Sequence, residues 1–351
     1  MKKRFVSSLF IVALAVVLVL AGCGGGGSSS SGGGTTAPPA SGGDAPLETV
    51  TWRIASQSND EVVCAVMLKE MAEEIANRTN GGFIIDVYTN ASLGSDREIA
   101  EGVQAGIIEA GQSTLAVLAN FCPELGVADM PYLIPNWDAA MTFLDSEVMD
   151  VQAAALAQNG FVYLGAICYG FRQCTNNVRP ISQLSDFSGI KFRVMQSDIY
   201  IDTFQALGAY PVGMAKAELI TALQQNTVDG QENPMEINFN EGMAEVQKYL
   251  SKTSHVAAIQ GYVANPDAFN KLPAEYQEVL MDVFKKGTME MTVVYAEEEE
   301  FFAQKLVEAG MEYNTVSDAD LAEMRQVCIE QVWPKYEELY ADQLAIVRTL
   351  F

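Results

Sequence analysis

A helix of the length encoded between Pro273 and Glu308 limits the architectures open to this chain. Pro273 suits the first helical position, where its missing N–H costs nothing. Thirty-six helical residues span ~54 Å, more than one small domain offers as a packing surface. The chain is therefore expected to form two lobes, with this helix lying against both. Upstream, strand-like and helix-like stretches alternate. Val50–Ala55 reads as a strand and is followed by a helix with Val63, Met67, Met71 and Ile75 at helical spacing. A strand from Gly82 to Val87, a helix carrying Ile99, Val103 and Ile107, and a strand from Ile108 to Thr114 complete a βαβαβ order. That order places the chain in the α/β class, with helices on the faces of largely parallel pairing.

The N-terminus bears on location. Met1-Lys2-Lys3-Arg4 is a basic leader, and Leu9–Ala21 is an apolar run of 13 residues, short of the ~20 a spanning helix needs. It ends in Leu20-Ala21-Gly22-Cys23, which resembles the bacterial lipoprotein signal, in which the cysteine is acylated. Residues 1–22 are expected to be the signal peptide. The Gly/Ser-rich segment 23–47 cannot bury enough apolar surface to fold and reads as a tether. Subtracting Lys2, Lys3 and Arg4 takes the 21 basic residues to 18 against 45 acidic ones, a net charge of −27. Such a surface excludes nucleic acid and direct docking on anionic lipid, leaving the lipid anchor as the membrane contact. A small anionic ligand remains compatible, since dispersed charge is screened over ~8 Å at physiological salt.

Further along, Pro123, Pro131 and Pro135 mark 121–136 as a connection. Two helices, about 137–145 and 147–158, precede the very apolar strand Phe161–Tyr169, expected at the centre of a sheet. Gly170-Phe171-Arg172-Gln173 is read as a crossing between lobes. From Lys191 to Asn233 the pattern is strand, helix, loop, helix, strand. Leu219, Ala222 and Leu223 give the second helix a buried face, Asn226 supplies its left-handed stop, and Leu207–Gly213 is read as the loop. Ser254–Val263 is a strand returning toward the first lobe, and Met311–Val316 is a shorter one.

The residue types exclude much chemistry. His255 is the only histidine, so a two-histidine metal site is impossible and a Ser-His-Asp triad would have to use it. At the head of an apolar strand it reads as structural. Glu297–Glu300 reads as a solvated helix face. No phosphate-cradling glycine loop occurs, and neither a cofactor nor a metal is expected. With Cys23 acylated, Cys64, Cys122, Cys168, Cys174 and Cys328 remain without a CxxC pair. A Cys168–Cys174 bridge and buried unpaired thiols are both open. Arg172 and Arg193 each follow or sit in apolar strands, where a charge needs a partner. An internal ion pair and an anion site both satisfy that need, and guanidinium suits a planar carboxylate through two parallel hydrogen bonds.

Gly170-Phe171-Arg172-Gln173, Lys191-Phe192-Arg193-Val194, Leu207-Gly208-Ala209-Tyr210-Pro211, and Ala222-Leu223-Gln224-Gln225 with Val228-Asp229-Gly230-Gln231-Glu232-Asn233-Pro234 resemble the solute-binding subunits of TRAP (tripartite ATP-independent periplasmic) transporters of the DctP type. Leu93-Gly94-Ser95-Asp96-Arg97-Glu98 and Asp129-Met130-Pro131-Tyr132 fit as well, so the resemblance covers about 50–350. It implies a two-lobed, periplasmic-binding-protein-like clamp of mixed sheets flanked by helices. The lobes would be 48–168 with about 258–297, and 169–257 with about 298–351. By resemblance Arg193 pairs with a ligand carboxylate, Arg172 supports it and Asn233 lies beside it. Thr114 and the Gln57–Asn59 loop come from the first lobe. One departure is Lys216, which follows Pro211-Val212-Gly213-Met214-Ala215 where many relatives carry an aromatic residue. Facing the cleft it would hold a second carboxylate, a phosphate or a polar tail; facing solvent it would start a helix. The expected function is extracytoplasmic capture of a small organic acid, without catalysis, for delivery to TRAP permease subunits. A binding lipoprotein of an ATP-driven importer and a ligand-presenting sensory protein are the alternatives.

Overall fold

The computed structural model describes residues 49–351. The expected signal peptide (1–22), the lipidation site Cys23 and the tether (23–47) lie outside the described residues. The strands in chain order are β1 (Val50–Ala55), β2 (Phe83–Tyr88), β3 (Ala110–Thr114), β4 (Val162–Phe171), β5 (Gln173–Asn176), β6 (Lys191–Val194), β7 (Tyr210–Gly213), β8 (Gly230–Asn233), β9 (Tyr249–Lys252), β10 (Ala257–Ala264) and β11 (Glu312–Thr315). They form two sheets, ordered β2-β1-β3-β10-β4 and β11-β9-β5-β8-β6-β7. In the first, β1 pairs in parallel with β2 and β3, whereas β10 runs antiparallel to both β3 and β4. In the second, β6 is parallel to β7 and β8, while β5 is antiparallel to β8 and β9. Both sheets are mixed, as the clamp architecture requires.

The chain crosses between sheets at two adjacent points. β4 leads through Arg172 directly into β5, and β9 returns through 253–256 into β10. The two crossings are hydrogen-bonded where the Arg172 N–H donates to the Val256 carbonyl at 2.9 Å. Gly170 (φ +135°) permits the approach here, because a Cβ at that position would lie 2.6 Å from Pro234 Cβ.

The long helix runs from Ala274 to Glu308, and Pro273 is its N-cap (φ −52°, ψ 144°) rather than its first helical residue. At 1.5 Å per residue its 35 residues span ~52 Å. Its first half packs Leu280, Val283, Phe284 and Met291 into the core shared with Leu164, Ile167 and Tyr262 of the first sheet. Its last turns place Phe302, Ala303 and Leu306 against Leu250 and Met311, next to the second sheet. The helix therefore serves both lobes.

Three further expectations change. β4 is apolar and buried, yet it is the edge strand of its sheet. Its burial comes from the long helix on one face and the cluster containing Leu156, Phe143 and Ile259 on the other. Leu207–Gly213 is not all loop, because pairing with β6 draws Tyr210–Gly213 into edge strand β7, where Pro211 is tolerated. The C-terminal helix Ala341–Leu350 buries Leu344 and Val347 in the first sheet's cluster with Phe143, Val148 and Leu156. The chain end thus packs with the first lobe rather than the second. All five cysteines of the described residues are unpaired and buried. Among the described residues no helix is long and apolar enough to cross a membrane, and no cluster of metal-ligating side chains occurs.

Candidate ligand-binding site

Strand ends of both sheets converge on a cleft lined by side chains of both lobes. From the second sheet, β6 delivers Arg193, only 4% exposed. Its Nε and Nη2 donate to the Met214 carbonyl at 3.0 and 2.7 Å. Among the described residues no carboxylate lies within ion-pair distance of it. Burial lowers its pKa to about 10, outweighing the attraction of Glu232, and Arg172 lowers it further. It stays charged at neutral pH, which leaves a buried cation in the cleft wall without a counter-charge in contact.

Arg172 also lines the cleft, but its charge is committed. Nη2 donates to Glu232 Oε1 at 2.9 Å and to the Glu232 carbonyl at 2.6 Å, and Nε bonds Glu232 Oε2. Its Nη1 donates to Tyr169 Oη at 3.2 Å, and its guanidinium lies 5.4 Å from the Tyr200 ring centre. Glu232 is fully buried, which alone would raise its pKa; the Arg172 charge and the His255 contact more than offset this and hold it below the ordinary carboxylate value. His255 Nε2 lies 3.2 Å from Glu232 Oε2 and its Nδ1 lies 2.9 Å from Thr253 Oγ1. The sole histidine is thus a fixed member of a buried network. Asn233 links this network to the cleft, since its Oδ1 accepts from Arg172 Nη2 at 3.0 Å and its Nδ2 donates to Gln231.

The first sheet supplies the facing wall, with Gln57, Ser58, Thr114 and Gln260. Asp96 joins them as the first residue of the helix Asp96–Gln104, whose N-cap Ser95 forms a capping box with Glu98. Thr114 Oγ1 donates to Asp96 Oδ2 at 2.7 Å and the Thr114 N–H donates to Oδ1 at 3.2 Å. Burial raises the pKa of Asp96, partly opposed by these bonds. Lys216 lines the cleft, with its Nζ 2.7 Å from Glu241 Oε1. Asn59 is not part of the lining; its Nδ2 donates to the same Glu241 oxygen at 3.1 Å. Lys216, Glu241 and Asn59 therefore tie segments of the two lobes together.

Six of the seven side chains expected from sequence meet in this one cleft: Arg193, Arg172, Asn233, Lys216, Thr114 and Gln57. Asp96 and Gln260 also line the cleft and Glu232 pairs with Arg172, and none of the three is among the site residues expected from sequence. Each had a signal: Asp96 stands at a capped helix start, while Gln260 and Glu232 are polar residues inside buried strands.

Residues 55–339 match the family described as bacterial extracellular solute-binding protein, family 7, also termed DctP. The C4-dicarboxylate-binding periplasmic protein DctP of Rhodobacter capsulatus is 30% identical over 280 residues, covering 78% of this chain and 81% of that protein. Among solved structures, a TRAP periplasmic solute-binding protein of Polaromonas bound to D-erythronate superposes with a TM-score of 0.82 at 27% identity, over 86% of this chain and 99% of that one. Another, from Desulfovibrio salexigens with bound orotic acid, gives 0.80 at 29% identity, over 86% and 96% of the two chains. These matches span both sheets, both crossings and the cleft between them, and the chain belongs to the family 7 (DctP) extracellular solute-binding proteins of TRAP type.

Proposed function

We propose that this protein captures a small organic carboxylate between its lobes and delivers it to a TRAP-type secondary permease, held outside the cytoplasmic membrane by lipid on Cys23. The observation that carries the reading is Arg193: a guanidinium almost wholly buried in the cleft wall, without an acid in contact among the described residues. A buried charge is costly unless paired, and a planar carboxylate entering the cleft supplies the pair through two parallel hydrogen bonds. The relatives described above hold or are named for a dicarboxylate, an aldonate and orotate, and a carboxylate is common to all three. Arg172, its charge balanced by Glu232, positions Asn233 at the cleft. Closure around the ligand follows from its differential affinity for the closed form. The one histidine is fixed in a structural network outside the cleft lining, and the ligand leaves unchanged.

A thermal-shift screen of organic acids tests this reading, because a ligand at 1,000 times its Kd stabilises by ~4.1 kcal/mol. Arg193→Ala is expected to weaken the best hit by roughly 30-fold or more, and Arg193→Lys by about tenfold through loss of the bidentate geometry. Equal affinity in Arg193→Ala would refute the assignment. Loss of uptake on deletion of a neighbouring TRAP permease, rather than of an ATPase, tests the delivery step.

A further inference from the structure

We propose that the cleft selects hydroxylated monocarboxylates and discriminates against dicarboxylates. The proposal rests on carboxylate capture by Arg193 and follows from the charge that remains once every ion pair in the cleft is formed. Four cationic side chains line it. Arg172 is bound by Glu232, Lys216 by Glu241 at 2.7 Å, and Arg97 by Glu101 at 2.9 Å. Only Arg193 lacks an acid partner among the described residues. The cleft has room in charge terms for one carboxylate.

The opposite wall then decides what the rest of the ligand must be. Asp96 lines it, 8% exposed and without an ion pair among the described residues. Its Oδ1 accepts only the Thr114 N–H, at 3.2 Å, so acceptor capacity remains open toward the cleft. A second carboxylate would find no uncommitted cation and would face this acid, and like charges in a buried site repel strongly. A hydroxyl donates to Asp96, and the neutral amides of Gln57 and Gln260 on the same wall can donate to or accept from further hydroxyls. A site that hydrogen-bonds a substrate hydroxyl rejects analogues lacking it by large factors, since its polar groups are then left unpaired.

Calorimetric titration at neutral pH of the purified protein with erythronate, threonate, gulonate and pantoate, against succinate and butyrate, tests this selection. At least one hydroxylated monocarboxylate is expected to bind tenfold or more tighter than succinate and butyrate. Glu241→Gln, which frees Lys216, is expected to raise succinate affinity about tenfold. Asp96→Asn is expected to weaken the hydroxy acid and strengthen succinate, a change of opposite sign that a merely structural role for Asp96 would not produce. Succinate binding as tightly as the best hydroxy acid, with Arg193→Ala abolishing both, would overturn the selection while leaving carboxylate capture intact. Failure of every acid to bind would overturn both. Glu241→Gln leaving succinate unchanged in a folded protein would also overturn it.

Discussion

Arg172 and Arg193 are the same residue type in similar settings, and their neighbours give them opposite roles. Glu232, on the strand next to that of Arg193, folds back onto Arg172 and neutralises it, while Arg193 is held by one backbone carbonyl. The pairing has a measurable consequence. Glu232→Gln leaves Arg172 as an uncompensated buried charge, at a cost of about 3–5 kcal/mol, which corresponds to a fall in Tm of roughly 5–15 °C for a body this size. Replacing both residues by methionine is expected to restore most of that loss, because two well-packed apolar groups remove the desolvation cost together. Scanning calorimetry of the single and double variants checks this. Lys216 shows the same principle: its sequence position marks it as a departure from relatives, and only Glu241 beside it shows that its charge is already balanced.

At the scale of elements, the short strands of the second sheet carry one wall of the cleft, and their register fixes it. β8 lies between β5 and β6, with Gln173 opposite Asn233 and Phe192 opposite Gly230. Gly230 is there because nothing larger fits, since a Cβ would stand 2.4 Å from the Thr175 carbonyl oxygen and 2.7 Å from Asn176 Cβ. Backbone cannot give way as a flexible side chain would, so Gly230→Ala is expected to destabilise by about 1–3 kcal/mol, the usual range for overpacking. It should also displace β8 and weaken carboxylate binding, through Glu232 and Asn233, beyond what partial unfolding explains. Denaturant midpoints and titration calorimetry on the same sample separate the two effects. The cleft is a product of strand register, and the long helix, which packs on both sheets, holds their relative placement.

For the whole molecule, pH is the variable that acts on several buried acids together. Burial raises Asp129 to about 7 despite the nearby Arg172 and the Tyr200 hydroxyl, and one of its oxygens has no partner among the described residues. Burial likewise raises Glu236 to about 7, although its Oε1 accepts the Val63 N–H at 2.9 Å. Both values lie above those of the unfolded chain, so between about pH 4 and pH 7 the folded state binds more protons. Stability is therefore greatest at the acid end of that window and falls as pH rises through it. Glu232, held below its ordinary value, acts the other way and loses its contribution as pH falls below the carboxylate range. The Tm is expected to be higher near pH 5 than near pH 8. Asp129→Asn should raise it near pH 8 and leave it almost unchanged near pH 5; an equal shift at both would show that ionisation of Asp129 is not the cause.

The sequence by itself determined the α/β class, the long helix and the run of motifs that brings Arg193 and Asn233 to one edge, because hydrophobic period, capping and turn residues act over a few neighbours. It also marked Gln57, just after β1, and Asn233, at the end of β8, both of which line the cleft. Only the tertiary structure decided which charges stay open. Ion pairs such as Arg172–Glu232 and Lys216–Glu241 join residues 60 and 25 positions apart, and no local pattern encodes a partner at that distance. The same holds for β4, whose apolar run records burial by helices but not its place at the edge, and for β7, which is a strand only because β6 pairs with it. Pairing and burial at long range are set by the balance of desolvation against contact, and that balance exists only once the chain has closed on itself.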